Sequence, residues 1–185
     1  MPDFVFSLTQ EEKDYLKKLV TQSVAFGINP SDGPFGPPEP PTDKLREQLG
    51  AFVTLKMGGN LRGCIGNVQG SGKLFRTVWD MAQQAAFHDP RFPAVNEHDV
   101  DALEYEISIL SPIDVCPDPE KVEVGRHGLI MSRDGRSGLL LPQVPVEWGW
   151  DRETFLSQTC LKAGLDPDAW KEPGTTILWF EAVVF

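Results

Sequence analysis

The spacing of apolar positions changes several times along the chain, and each change marks an element. Tyr15, Leu16, Leu19, Val20 and Val24 recur at helical period. Thr9, with Glu12 three residues later, gives that helix a capping-box start, and Gly27 and Pro30 predict its stop. Residues 30–41 are dense in proline and glycine, which excludes a helix interior or a central strand. They read as a surface loop or, as the lesser alternative, a proline ligand for a partner. Thr42 to Leu49 predicts a short helix ended by Gly50. Ala51 to Met57 then reads as a strand, Gly58-Gly59-Asn60 as a turn, and Leu61 to Val68 as the returning strand. Period two places Leu61 and Ile65 on the core face of this hairpin, with Arg62 and Cys64 on the other.

Lys73 to Phe87 returns to helical period, with Leu74, Val78, Met81, Ala82 and Ala85 as its buried stripe. Asp89-Pro90-Arg91 ends it. Leu103 to Leu110 alternates cleanly, with Glu104, Glu106 and Ser108 on the polar side. A second hairpin is predicted within Leu129 to Leu141, around Asp134-Gly135-Arg136-Ser137-Gly138, then a helix over Phe155 to Ala163 closed by Gly164, and a final apolar strand over Thr175 to Phe185. Strands and helices do not alternate as βαβ units. The pattern predicts an α+β fold whose sheet is largely antiparallel and flanked by helices. The polar break near residues 112–127 leaves room for a second lobe.

Composition narrows the function classes. The 185 residues carry a formal net charge of -10, which disfavours nucleic acid and anionic membranes as partners. Residues 1–10 lack the basic-then-apolar pattern of a signal peptide, and no stretch is long enough to span a membrane, so a cytoplasmic location is expected. The three cysteines, Cys64, Cys116 and Cys160, are an odd and widely spaced set and read as reduced thiols. No metal-ligand cluster is visible, and no cofactor is called for. Gly70-Ser71-Gly72-Lys73 fails as a phosphate loop, because Asn67 and Leu74 stand where that motif needs glycine and serine or threonine.

The densest chemistry lies in Leu61-Arg62-Gly63-Cys64-Ile65-Gly66. Glycines beside a thiol clear side chains from it, and a cation on the same face favours the thiolate. Cys64 is therefore a candidate nucleophile, with packing between strands the competing explanation. Arg62 is a candidate for holding the thiolate or an anionic substrate group, and Gly63, Ile65 and Gly66 for offering backbone N–H groups to developing charge. His127 is a candidate general base, with a histidine that satisfies a turn's backbone groups the weightier alternative. Glu106 and Ser108 are candidates for orienting a histidine or binding substrate, against a plainly solvated strand face. Asp89 with Arg91 reads as a local ion pair or a ligand contact. Trp148 and Trp150 line a pocket or interface, or pack in the core, and core packing is the weightier alternative.

Several segments together carry a family resemblance: Gly50-Ala51-Phe52-Val53-Thr54-Leu55, the cysteine hexapeptide, Asp89-Pro90-Arg91-Phe92, Glu106-Ile107-Ser108-Ile109-Leu110-Ser111-Pro112, His127-Gly128-Leu129-Ile130, and Leu161-Lys162-Ala163-Gly164-Leu165. In this order they resemble the AMMECR family over nearly the whole chain. The resemblance implies one AMMECR-type domain over residues 1–185, built of two interleaved lobes with the hexapeptide at a cleft between them. Bacterial and archaeal relatives often sit beside genes for radical S-adenosylmethionine and dioxygenase-like proteins, which implies protein partners in a shared modification pathway. Two expectations follow. The chain is a cytosolic enzyme or enzyme component that uses the Cys64 thiol, or it is a noncatalytic adaptor that binds a small molecule or peptide.

Overall fold

The computed structural model describes residues 6–31, 36–70 and 72–185. Gly33, Pro34 and Ser71, and the start of the segment read for a signal peptide, lie outside the described residues. The chain divides into two compact units, one running to Leu110 and including Val183–Phe185, the other covering Ser111–Ala182.

The first unit opens with helix α1, Gln10–Ile28. Its capping box is complete: the Thr9 hydroxyl accepts from the Glu12 N–H at 3.2 Å, and Glu12 accepts from the Thr9 N–H at 2.8 Å. α1 ends between Gly27 and Pro30, as expected, although Gly27 itself lies inside the helix. A side chain there would fall 2.1 Å from the Phe87 ring, so the glycine serves close helix packing. The segment expected as a helix over 42–49 is a single 3-10 turn, Asp43–Arg46. Strands β1 (Ala51–Met57) and β2 (Asn60–Asn67) form the predicted hairpin. Helix α2 spans Leu74–Phe87, and strand β3, Leu103–Leu110, pairs antiparallel with β1. Phe185 completes this unit, exchanging backbone hydrogen bonds with Ile107 at 2.9 and 3.1 Å.

The second unit begins with the short strand β4 (Asp114–Val115) and the hairpin β5 (His127–Arg133) and β6 (Arg136–Leu140). Asp134 and Gly135 both have positive φ, 51° and 75°, as a two-residue hairpin turn requires. Helices α3 (Gln143–Glu147) and α4 (Arg152–Lys162) follow, then strand β7 (Thr176–Val184), which pairs with β5 and β4. Asp151 caps α4, and beyond it Gly164, at φ +71°, lets the Leu165 N–H reach the Cys160 carbonyl at 2.9 Å. The core of this unit joins Leu129, Met131, Phe155, Leu156, Cys160 and Trp179. The fold is α+β, and the β1–β2, β1–β3, β4–β7, β5–β6 and β5–β7 pairings are all antiparallel. Among the described residues no helix is long and apolar enough to cross a membrane.

Candidate functional site

Cys64 sits on β2, which has a strand on one side only, β1. Its register partner Thr54 is in turn opposite Glu106 of β3, so the three share one sheet face. The opposite face meets the helices: Gly63 pairs with Leu55, and a side chain at Gly63 would lie 2.2 Å from the Ala85 carbonyl oxygen of α2. The thiol is thus turned away from the helix-packed core, as period two predicts.

Arg62 departs from expectation. Between Leu55 and Lys56 the register slips by one, leaving Arg62 without a partner on β1. A bulge of this kind reverses the alternation on its far side. Leu61 therefore falls on the Cys64 side and is exposed, whereas Arg62 is buried. The Arg62 guanidinium donates to the Pro93 and Ala94 carbonyls at 2.6 and 3.2 Å and pairs with Asp99 at 3.0 Å. It ties the hairpin to the segment after α2, and its charge is engaged there rather than at the sulfur. Replacing Arg62 with methionine is expected to cost about 2 kcal/mol of stability, because two carbonyls lose a charged donor. The alkylation profile of Cys64 should not move. A profile displaced to higher pH in that variant would show that Arg62 does act on the thiol.

The cation nearer to Cys64 is Arg91. Asp89, buried in the turn after α2, accepts from the Cys64 N–H at 2.9 Å, and Arg91 donates to the Cys64 carbonyl at 3.1 Å. Together they occupy the open edge of β2 as a neighbouring strand would. Arg91 also grips Asp89 through two bonds, at 2.9 and 2.7 Å, and holds that carboxyl far below the usual carboxylate range. The Cys64 N–H is therefore already satisfied. Gly66 is explained by packing as well, since a side chain there would fall 2.1 Å from the Phe52 ring.

At the sulfur, the Thr54 hydroxyl donates at 3.2 Å. Burial pushes the Cys64 thiol up, and this outweighs the opposing pull of Thr54 and Arg91. Glu106 is paired with Lys56 at 3.0 Å, and Ser108 is fully buried rather than solvated.

His127 lies in the second unit. It is buried, its Nδ1 accepts from the Glu123 N–H at 3.0 Å, and its ring packs against Trp179 at 4.5 Å. Burial, then the Arg126 charge, lowers its pKa. A cleft of about 420 Å³ opens beside it, bounded by Lys121, Glu123, Arg126, Arg152 and Trp179. The arginines there are held by carboxylates, Arg126 by Glu181 at 3.0 Å and Arg152 by Glu120. Cys116 and Cys160 are buried and unbridged. Trp148 is not a core residue, as it is 71% exposed. Among the described residues no group of three His, Cys, Asp or Glu side chains is placed to hold a metal.

Comparison with known proteins adds the family. Residues 18–185 match the AMMECR1 family. The chain is 47% identical over 191 residues to a protein of Thermococcus gammatolerans, covering 98% of this chain and 93% of that one. It is 44% identical over 187 residues to Protein MK0488 of Methanopyrus kandleri, covering 96% and 89%. Its fold is similar to the crystal structure of the uncharacterized protein PH0010 from Pyrococcus horikoshii, with a TM-score of 0.90 at 38% identity, covering 97% of this chain and 93% of that one. With matches running almost end to end in sequence and in fold, this chain belongs to the AMMECR1 family.

Proposed function

We propose that the chain is a noncatalytic binding component of a modification pathway, with the Cys64 face as its recognition surface for a small molecule or peptide. One observation carries this reading: the thiol is half-buried and its pKa is raised, because burial outweighs the pull of Arg91, whose charge is shared with Asp89, while Arg62 is engaged elsewhere. A nucleophilic cysteine needs a depressed pKa. Here the Thr54–Cys64–Glu106 row instead offers a neutral sulfur, a hydroxyl and a carboxylate side by side. The protein partners implied by the family resemblance, radical S-adenosylmethionine and dioxygenase-like proteins, would supply the chemistry. Three free thiols accord with a reducing, cytoplasmic setting.

The reading is tested by iodoacetamide alkylation of Cys64 across pH, with Cys116→Ala and Cys160→Ala backgrounds separating the signals. The expected titration midpoint lies above that of an ordinary exposed thiol, about 8.5. A folded Cys64→Ala protein is expected to restore function in cells that lack the native one. Faster alkylation at neutral pH than a model thiol, with loss of function in Cys64→Ala, would return the nucleophile.

A further inference from the structure

We infer that the β6 edge of the second unit is a docking site for an extended acidic peptide of another protein, which adds to the sheet as a further strand. This surface lies outside the Cys64 row and does not depend on how that row is read.

The first support is the backbone. β6 pairs with β5 and ends the strand order on that side. The hairpin closes with Arg133 opposite Arg136, and hydrogen-bonded pairs alternate from that closing pair. Ser137 and Leu139 therefore turn their N–H and C=O groups away from β5. Among the described residues neither makes a backbone hydrogen bond outside the hairpin. Such an edge is a template for strand addition.

The second support is an apolar groove beside that edge. It has a volume of about 320 Å³ and is lined by Leu140, Val144, Trp148, Trp150 and Leu161. α4 reaches the edge closely, because a side chain at Gly138 would meet the Ala163 nitrogen at 2.3 Å. The Trp148 and Trp150 rings stack at 6.1 Å with 19° between their planes. Trp148 and Leu161 are 71% and 50% exposed, costly positions for large apolar groups. A strand presents every second side chain to one face, so alternate apolar residues of the peptide would enter this groove.

Charge identifies the occupant. The chain as a whole is acidic, at -10, yet Arg136 and Lys162 flank this edge. Arg136 donates to the Gly164 carbonyl at 2.6 Å, and neither cation has a carboxylate partner among the described residues. A second copy laid edge to edge through Ser137 and Leu139 would set Arg136 opposite Leu140 and offer it no carboxylate. An acidic peptide would pair with both cations instead.

The test uses fluorescence anisotropy with a labelled synthetic peptide of about seven residues, a typical strand length, whose two central leucines and two terminal glutamates stand at alternate positions on one strand face, with serines between. The expected result is saturable binding that weakens about tenfold or more in Trp148→Ala and in Lys162→Glu, both surface changes. Replacing the peptide's glutamates by lysine should abolish binding. Methylating every second backbone nitrogen should abolish it in one phase and spare it in the other, which is the signature of strand addition. Circular dichroism confirms that both variants are folded. No binding, equal binding of the lysine peptide, or indifference to both methylation phases overturns the inference. So does self-association of the protein, measured by light scattering, that depends on Trp148, since the groove would then belong to a second copy.

Discussion

Replacing Asp89 with alanine is expected to remove about 3 kcal/mol of stability at neutral pH, read as a lowered urea midpoint. The carboxylate is buried and accepts from the Cys64 N–H, the Arg91 N–H and the Arg91 side chain. Alanine leaves the strand edge at Cys64 without its acceptor and releases the guanidinium that holds the Cys64 carbonyl. The pH dependence has a definite sign. The folded-state pKa of Asp89 is depressed, chiefly by hydrogen bonding to Arg91, so its contribution is complete above the unfolded value of about 3.9 and fades as pH falls below it. The difference between the native protein and the variant should therefore shrink between about pH 4 and pH 2. A variant with an unchanged urea midpoint at pH 7 would show that the turn after α2 does not hold β2.

The second large effect is at Gly63. A methyl group there meets the Ala85 carbonyl oxygen at 2.2 Å, and that oxygen belongs to helix backbone, which cannot rotate aside. Gly63→Ala is expected to cost about 3 kcal/mol or to force α2 away from β2. Gly66→Ala is the matched control. Its methyl would meet the Phe52 ring at 2.1 Å, but a side chain can turn, so the cost should be smaller. Equal losses at the two positions would mean that α2 does not approach β2 as closely as described. The glycines around the thiol are thereby assigned to packing: one admits a helix, and the other admits an aromatic ring.

Much of the fold was legible in particular residues. Thr9 and Glu12 marked the start of α1, the stretch Asp134 to Gly138 marked the β5–β6 hairpin though its last three residues are already strand, and alternation marked β3, because caps, turns and strand faces are local matters. The site was less legible. Counting by twos put Arg62 beside Cys64, but a one-residue bulge is a property of the pairing and leaves no local trace. Gly27 reads as a helix stop until the Phe87 ring is seen against it. Ser108 has the place of a solvated residue, and only tertiary packing shows that it is fully buried. Asp89 and Arg91 were legible as a pair, whereas their hold on Cys64, across more than twenty residues, was not.

The backbone exchange between Ile107 and Phe185 has a consequence for synthesis. The ribosome delivers residues in order, and domains generally fold as units as they emerge. The first unit cannot close in that way, because Val183–Phe185 emerge only after the whole of Ser111–Ala182. The nascent chain must keep the outer side of β3 unpaired while the second unit is made. The first unit to be translated is thus the last to be completed, and its final hydrogen bonds form across a loop that spans an entire folding unit.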